Sequence, residues 1–266
     1  TLQVEYIRAT NNMLKIRTYI LSLVSLTVFV LMIGLTSRAE TGPVADHGIY
    51  GKLLKKHVTA GKVNYAGFKS DEAQLAHYLK QLQNVDAREL SRNEQFAFYV
   101  NAYNAWTIQL ILSSYPGVKS IKDLGGLFQS PWKKKIVKLD GRILTLDDLE
   151  HNILRPRFND PRVHFAINCA AKSCPPLRPV PFRGDVLDRQ LDDATHAFIN
   201  DPASYRLEGH QLYVSRIFKW FAEDFEDGVL SFYLTYATGD LKHELESKRD
   251  KISVKYLAYD WSLNGE

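Results

Sequence analysis

The chain has 266 residues, of which 45% are hydrophobic and 24% charged, and its formal net charge at pH 7 is +4. These are ordinary globular values, and they exclude a largely disordered chain. Four of the 34 basic residues and one of the 30 acidic residues fall within residues 1–39, so the remainder is close to neutral. A near-neutral domain carries no electrostatic footprint for nucleic acid or for an anionic membrane surface, and we expect neither as a partner.

The first 39 residues have the pattern of an export leader. A basic segment begins at Met13, an uncharged and mainly apolar run covers residues 19–36, and small residues end at Ala39. We interpret Met13 as the start and Ala39 as the last residue removed by cleavage. The alternative is a retained inner-membrane anchor, because the run approaches the roughly 20 apolar residues that span a bilayer. Both interpretations predict a periplasmic or extracellular domain, with membrane contact only through an uncleaved anchor.

Residues 40–266 contain no fixed-period repeat and no linker, which predicts one domain. Apolar residues at helical spacing predict helices near residues 49–57 and 72–82. The clearest helix covers residues 92–114, where Ser91 and Glu94 fit a capping box and a Tyr-Pro-Gly sequence supplies the stop.

Apolar side chains surround most of this helix, so it should be buried on most sides. Asn101 and Asn104 lie one turn apart on the flank of that buried surface. A buried amide without a partner costs about 1 to 3 kcal/mol, so each should hold something. Either they hold the backbone of a neighbouring loop, or they bind a ligand together with Tyr103 of the same helix.

The second half of the chain mixes strands with helices. Thr145 and Asp148 predict the start of a short helix that carries Glu150 and His151 and ends near Arg155. Hairpins are predicted at residues 135–146 and 205–214. A strand is predicted at 162–168, a helix at 186–200 and a last strand at 252–257. Without a regular βαβ alternation, the pattern indicates an α+β fold: a helix-rich single domain with a small, mainly antiparallel sheet.

Five segments together resemble the signature blocks of the family of domains of unknown function 547. They are YVNAYNA at 99–105, LEH at 149–151, DPRVHFA at 160–166, CAAKSCPP at 169–176 and YDWSLN at 259–264. The resemblance spans most of residues 90–264 and is specific through the combination of blocks. It implies a fold and a set of positions, and it implies no activity.

Both cysteines of the chain lie in the fourth block, as Cys169 and Cys174. In an exported protein the simplest interpretation is a local disulfide, which requires residues 170–173 to form a loop, because a regular helix would hold the two Cα atoms too far apart. The alternative is a catalytic thiolate, activated by free backbone N–H groups and by nearby Lys172. An inert or metal-bound cysteine is the third alternative.

His164 is the candidate general base. On an extended strand His164 and Cys169 would face opposite sides and lie about 16 Å apart, which excludes a direct pair. Cys174, which the intervening turn can bring back, is therefore the preferred nucleophile, paired with His164 or with His151. Glu150 would orient a histidine, as the third member of a triad does, or would form a salt bridge with Arg155 or Arg162.

Other chemistries lack their motifs. The chain has no H-E-x-x-H, no paired C-x-x-C, no Gly-rich phosphate loop and no G-x-S-x-G, so we expect neither a metal nor any other cofactor. A buried helix followed by a histidine-bearing strand is distantly similar to papain-like and transglutaminase-like enzymes, although the helix here carries no cysteine.

Two functions follow from these residues. One is thiol-dependent acyl or peptide hydrolysis or transfer, with Cys174 or Cys169, His164, Glu150 and His151 catalytic and with Asn101, Tyr103, Asn104 and Arg155 binding the substrate. The other is a non-catalytic binding module for a peptide or an envelope polymer, in which a Cys169–Cys174 disulfide is structural. The substrate, whether a peptide, a polymer or a small molecule, is not defined by the sequence.

Overall fold

The computed structural model describes residues 42–126 and 129–265. The predicted leader, with its start at Met13 and its cleavage after Ala39, lies outside these residues. Within the described ranges, every helix is too short or too polar to cross a bilayer.

The N-terminal half is helical and is built around one long helix. Helices α2 (Tyr65–Ser70) and α3 (Glu72–Leu82) pack against α4 (Arg92–Leu112), and α1 (Gly48–His57) packs on α2 and α3. The two-residue strands β1 (Val58–Thr59) and β2 (Lys62–Val63) connect α1 to α2. The predicted burial of α4 is confirmed, because nearly all of its side chains are buried.

The N-terminus of α4 shows how the predicted cap is used. The Ser91 hydroxyl accepts from the Glu94 backbone N–H at 3.3 Å, as the capping box requires. The Glu94 carboxylate instead accepts from the backbone N–H of Gly184 at 2.9 Å. One half of the box therefore caps the helix, and the other half attaches a distant loop to it.

The C-terminal half combines short helices with small sheets, as the predicted α+β class requires. The first hairpin pairs β3 (Val137–Leu139) with β4 (Arg142–Leu144). A π-helix (Asp148–Leu154) follows and continues directly into α5 (Arg155–Phe158). The remaining helices are α6 (Val163–Ala166), α7 (Leu187–Ile199), α8 (Ile217–Trp220), α9 (Val229–Tyr236) and α10 (Gly239–Ser247).

The largest sheet has three strands. Strand β5 (Tyr205–Glu208) pairs antiparallel with β6 (Gln211–Val214), which confirms the second predicted hairpin. Strand β7 (Ser253–Tyr256) pairs parallel with β6. The sheets are therefore antiparallel apart from this one pairing.

The prediction of a strand over residues 162–168 is wrong, because the segment forms the short helix α6 followed by extended residues. Asp160 initiates the helix: its side chain accepts from the Arg162 N–H at 2.9 Å, and its carbonyl accepts from the Val163 N–H at 3.1 Å. Four consecutive buried residues read equally well as a strand or a helix, which explains the error. The strand-based distance between His164 and Cys169 no longer applies.

Helix α6 lies between two hydrophobic clusters. Val163 and Ala166 belong to the cluster around α4, whereas Phe165 belongs to a second cluster, rich in aromatic residues, beneath the three-stranded sheet. His164, between them in the chain, is placed where the two clusters meet.

The C-terminal segment crosses the molecule after β7. Leu263 forms a bridge with Ala171, Ser262 with Ser120, and Gly265 with Val63. These contacts tie the segment to three separate parts of the chain, including the loop between the two cysteines.

Candidate functional site

A cavity of about 220 Å³ lies where the π-helix, α6, the cysteine loop and the C-terminal segment meet. Six residues singled out from the sequence line it: Tyr103, Glu150, His151, His164, Cys169 and Cys174. The structure therefore brings together, around one space, most of the residues for which the sequence predicted chemistry.

The two cysteines form a disulfide, which confirms the first of the predicted alternatives. Their Cα atoms are 6.0 Å apart, within the usual range for a disulfide. The loop between them contains Ala170 in the left-handed region, with φ of +60°. In this state neither sulfur is a thiolate, so neither can act as a nucleophile.

The hydroxyl of Tyr259 lies over the disulfide. Its oxygen is 3.2 Å from Cys169 Sγ and donates to Cys174 Sγ at 3.3 Å. A second donor, the backbone N–H of Cys169, lies 2.8 Å from Cys174 Sγ. Burial raises the pKa of the Tyr259 hydroxyl well above its ordinary value, so the hydroxyl keeps its proton at neutral pH.

Glu150 enters the cavity wall from the π-helix. The wider i→i+5 turn of such helices is frequently found at functional sites. Tyr103 donates to Glu150 Oε2 at 3.3 Å. Burial raises the pKa of Glu150 to about 7, although the Tyr103 hydrogen bond and the charge of Arg155 act in the opposite direction. At neutral pH this carboxyl group can therefore either give or take a proton.

His164 is held by an acid that sequence reasoning missed. Its Nε2 lies 2.6 Å from Asp224 Oδ2. Burial lowers the pKa of His164, outweighing the opposite effect of Asp224, so the ring is neutral and Nε2–H donates to the carboxylate. Burial alone would raise the pKa of Asp224, but hydrogen bonds from His164 and Arg155, together with the charge of Arg155, outweigh it and hold that pKa well below its usual range.

Arg155 lies behind the cavity. It donates to both oxygens of Asp224, at 2.6 and 2.9 Å, and pairs with Glu223. It also donates to His151 Nδ1 at 2.7 Å. Arg155 does not line the cavity, and its predicted role in substrate binding stays a prediction. No ion pair to Glu150 from Arg155 or Arg162 is present among the described residues.

Aromatic residues from distant parts of the chain close the cavity. Trp220 stacks on Trp261 with ring centroids 5.6 Å apart, and Tyr259 contacts both rings. Trp132 meets Trp261 edge to face, and Phe221 stacks on His164 with centroids 4.0 Å apart. Trp220 keeps 42% of its surface exposed, which makes it the solvent-facing edge of this aromatic wall.

Asn101 and Asn104 do not line the cavity. Asn101 donates to the Phe182 carbonyl at 2.8 Å and accepts from the Phe182 N–H at 2.9 Å. Asn104 donates to the Ala166 carbonyl at 3.0 Å and accepts from the Asn168 N–H at 2.7 Å. Both amides hold backbone, as the first alternative had it, and their part in substrate binding stays a prediction.

A larger cleft of about 910 Å³ adjoins the cavity on the other side of the disulfide. Cys174 and Tyr259 line both spaces. The cleft also carries Lys62, Lys119 and Lys172, all exposed, and none of them forms an ion pair within the described residues. Asp201 is the acidic residue on its wall.

Several residues of the site escaped sequence reasoning. Asp224, Trp132, Trp220 and Phe221 lie far from the cysteines in the chain and carry no local motif. Tyr259 and Trp261 belong to the last block of the family resemblance, which was the available signal for them. Across residues 42–126 and 129–265, no group of three His, Cys, Asp or Glu residues is arranged to hold a metal ion.

The family comparison agrees with the resemblance of the sequence blocks. Residues 87–199 match the family model described as "Protein of unknown function, DUF547". The search of curated proteins and the search of solved structures each found no match to the chain.

Proposed function

Because residues 87–199 place this chain in the DUF547 family, whose description names no activity, we propose its function from the site: it is a binding module. The ligand is an acidic peptide or envelope polymer, and one of its residues occupies the aromatic cavity. The neighbouring residues of the ligand lie in the larger cleft that carries Lys62, Lys119 and Lys172, here called the lysine cleft. The export of the domain to the cell envelope is part of the same proposal.

The aromatic cavity is the observation that supports this proposal most directly. At about 220 Å³ it is smaller than the roughly 300 to 1,000 Å³ of drug-sized ligand sites, so it suits a single ring or side chain. Trp132, Trp220 and Trp261 offer flat apolar faces against which such a group can stack. Glu150, as donor or acceptor, and the Tyr259 hydroxyl supply hydrogen bonds that fix its orientation.

The adjoining cleft favours an extended and acidic ligand. It meets the cavity at Cys174 and Tyr259, so a chain with one residue in the cavity continues naturally into the cleft. Three lysines against one aspartate give the cleft a positive potential, which attracts carboxylates. Exposed lysines contribute through long-range attraction, so binding should weaken as the salt concentration rises.

The closed disulfide favours binding over catalysis by a resting thiol. Its Cys174 half lies on the wall shared by the two spaces, and its sulfurs are already bonded to each other. A disulfide can serve as part of the wall of a binding site, whereas a thiol enzyme requires a free thiolate.

A titration of the oxidised protein tests this proposal. Soluble peptidoglycan fragments with free carboxylates serve as the acidic probe, oligoglutamate as an acidic peptide, and neutral chitin oligomers as the uncharged comparison. Tryptophan fluorescence reports on the cavity, and calorimetry gives Kd. Trp220→Ala should weaken binding by about tenfold through the loss of one stacking face.

The lysine cleft is tested by a matched pair of triple variants. The first variant combines Lys62→Ala, Lys119→Ala and Lys172→Ala. It should raise Kd for the acidic probes about tenfold at low salt and leave Kd for the neutral oligomer unchanged. Lys52→Ala, Lys55→Ala and Lys80→Ala combined remove three exposed lysines outside the cleft and should leave Kd unchanged. Equal effects from both sets, or no binding of either acidic probe, would refute the proposal.

The second candidate function is thiol-dependent acyl or peptide chemistry after reduction. It is favoured by one observation, that His164 and Cys174 line the same cavity. Reduced protein should then give a burst with p-nitrophenyl acetate that Cys174→Ser abolishes and that the oxidised protein lacks. An identical burst from oxidised protein or from Cys174→Ser would exclude Cys174 as the nucleophile.

A further inference from the structure

We propose that the Cys169–Cys174 disulfide is an exchangeable bond that accepts two electrons from a dithiol entering the aromatic cavity. Cys169 Sγ is the atom attacked, and Cys174 Sγ is the leaving group. This inference concerns the same cavity as the proposed function, but it depends on the disulfide and its hydrogen bonds alone.

The two cysteines differ in their exposure to solvent. Both cysteines line the cavity, yet Cys169 is only partly buried whereas Cys174 keeps 8% of its surface exposed. An incoming thiolate must approach the sulfur it attacks, so access favours Cys169.

The two sulfurs also differ in the hydrogen bonds they would receive as thiolates. The Tyr259 hydroxyl lies within reach of both sulfurs, at 3.2 Å from Cys169 Sγ and 3.3 Å from Cys174 Sγ, and it donates to Cys174 Sγ. The difference is the Cys169 N–H, which donates to Cys174 Sγ at 2.8 Å. Donors of this kind stabilise a thiolate and lower the pKa of its thiol. A thiol of lower pKa leaves faster in thiol–disulfide exchange, so Cys174 is prepared as the leaving group.

The surrounding loop is held by contacts that do not require the disulfide. Lys172 N–H donates to the Ser262 carbonyl at 2.8 Å, and Ser173 N–H donates to the Asp260 carbonyl at 3.2 Å. The Asn168 side chain donates to the Pro175 carbonyl at 2.8 Å. After reduction these bonds keep the two thiols close together, so the disulfide can form again without refolding.

The reaction balances as two displacements. The substrate's first thiolate attacks Cys169 Sγ, which forms a mixed disulfide and breaks the Cys169–Cys174 bond with its electron pair on Cys174. The substrate's second thiol then gives its proton to Cys174, and its sulfur attacks the substrate sulfur of the mixed disulfide. Cys169 leaves as a thiolate and takes the proton released when the first substrate thiol ionised. One dithiol is oxidised to a disulfide, and one protein disulfide is reduced to two thiols.

The test follows reduction of the intact, folded protein by dithiothreitol at pH 7, with quenching by N-ethylmaleimide and mass spectrometry. Tyr259→Phe removes one donor to the leaving sulfur and should slow reduction roughly threefold to tenfold. Tyr256→Phe, an exposed tyrosine of the same C-terminal region, should reduce at the wild-type rate. In the reduced wild type, Cys174 should label with iodoacetamide at an apparent pKa below about 8.5, and Tyr259→Phe should raise that value.

Two results would overturn the inference. One is a disulfide that is reduced only as fast as the protein unfolds, with unfolding followed by tryptophan fluorescence. The other is an unchanged reduction rate in Tyr259→Phe. Either result would make the bond a structural staple. Binding of acidic probes by the oxidised protein is measured separately, so loss of exchange with intact binding would refute this inference and leave the proposed binding function standing.

Discussion

Asn101 and Asn104 on α4 are buried as deeply as Glu150 and His164 in the cavity wall, with 1% and 3% of their surface exposed against 8% and 3%. The amides each exchange two hydrogen bonds with the backbone of one loop, so the protein itself satisfies them. Glu150 has one longer hydrogen bond from Tyr103 and faces a cavity. Equal depth of burial therefore accompanies two different states of hydrogen bonding: the amides are satisfied by backbone, whereas Glu150 can still bond a group in the cavity.

The largest expected effect comes from removing one of the two structural amides, Asn104. Asn104→Ala leaves the Ala166 carbonyl and the Asn168 N–H without partners, at a cost of about 4 kcal/mol in the free energy of unfolding. Urea denaturation measures this loss. Asn152→Ala removes an exposed amide with one hydrogen bond and should cost less than about 0.5 kcal/mol. Equal losses in the two variants would contradict the structural role of Asn104.

The next effect concerns the acid behind the cavity. Asp224→Asn leaves Arg155 and His164 without their charged partner and should destabilise the protein by about 3 kcal/mol at pH 7. The folded-state pKa of Asp224 is lowered, so its stabilisation is present above the unfolded pKa and is lost as the pH falls below about 4. The difference between wild type and variant should therefore narrow in acid, whereas Asp227→Asn should match the wild type throughout. If the two proteins differ in free energy of unfolding by the same amount at pH 7 and below pH 4, the charge of Asp224 is not the cause of the difference.

A change in the opposite direction is expected at Glu150. Its pKa is raised to about 7, so ionisation costs more in the folded than in the unfolded protein. Wild-type stability should fall as the pH rises from about 4.5 to 7 and should level off above that. Glu150→Gln removes this cost and should stabilise the protein by about 2 kcal/mol at pH 8.

The control for Glu150 is Glu226→Gln, because Glu226 is exposed. It should leave the pH profile of unfolding unchanged. A wild-type profile that is flat between pH 5 and 8 would mean that Glu150 is not an energetically costly buried acid.

The smallest expected effect comes from the hydrogen bond between Tyr103 on α4 and Glu150 in the cavity wall. Tyr103→Phe removes the hydrogen bond that lowers the pKa of Glu150, so that pKa should rise further, with a stability change of about 1 kcal/mol at most. Carboxyl ¹³C NMR follows the titration. The control is Tyr99→Phe, because Tyr99 lies on the same helix as Tyr103 but donates to Asp140 instead. It should leave the pKa of Glu150 unchanged.

Much of the fold followed from local sequence signals. The predicted Ser91 and Thr145 caps and both hairpins were found, because each depends on residues within a few positions of one another. The strand prediction for residues 162–168 was wrong because an uninterrupted run of buried residues shows neither helical nor strand periodicity. Asp160, which starts α6, is a single residue and does not by itself indicate a helix.

The candidate site was only partly accessible to sequence reasoning. Glu150, His164 and the cysteines were identified from their residue types and from the family resemblance. Asp224 could not be predicted, because 60 residues separate it from His164 and the pairing arises only when the second aromatic cluster packs against α6. The alternative of Asn101 and Asn104 as loop anchors was available from the sequence, but their backbone partners were not.

The C-terminal segment also bears on where the functional unit ends. The matched family region, residues 87–199, contains Glu150, His164 and both cysteines, but it lacks Asp224, Trp220, Tyr259 and Trp261. A polypeptide limited to that region would keep Glu150, His164 and the disulfide, but it would lose the carboxylate that holds His164 and much of the aromatic wall of the cavity. The cavity of this chain is therefore completed by sequence that lies beyond the matched region.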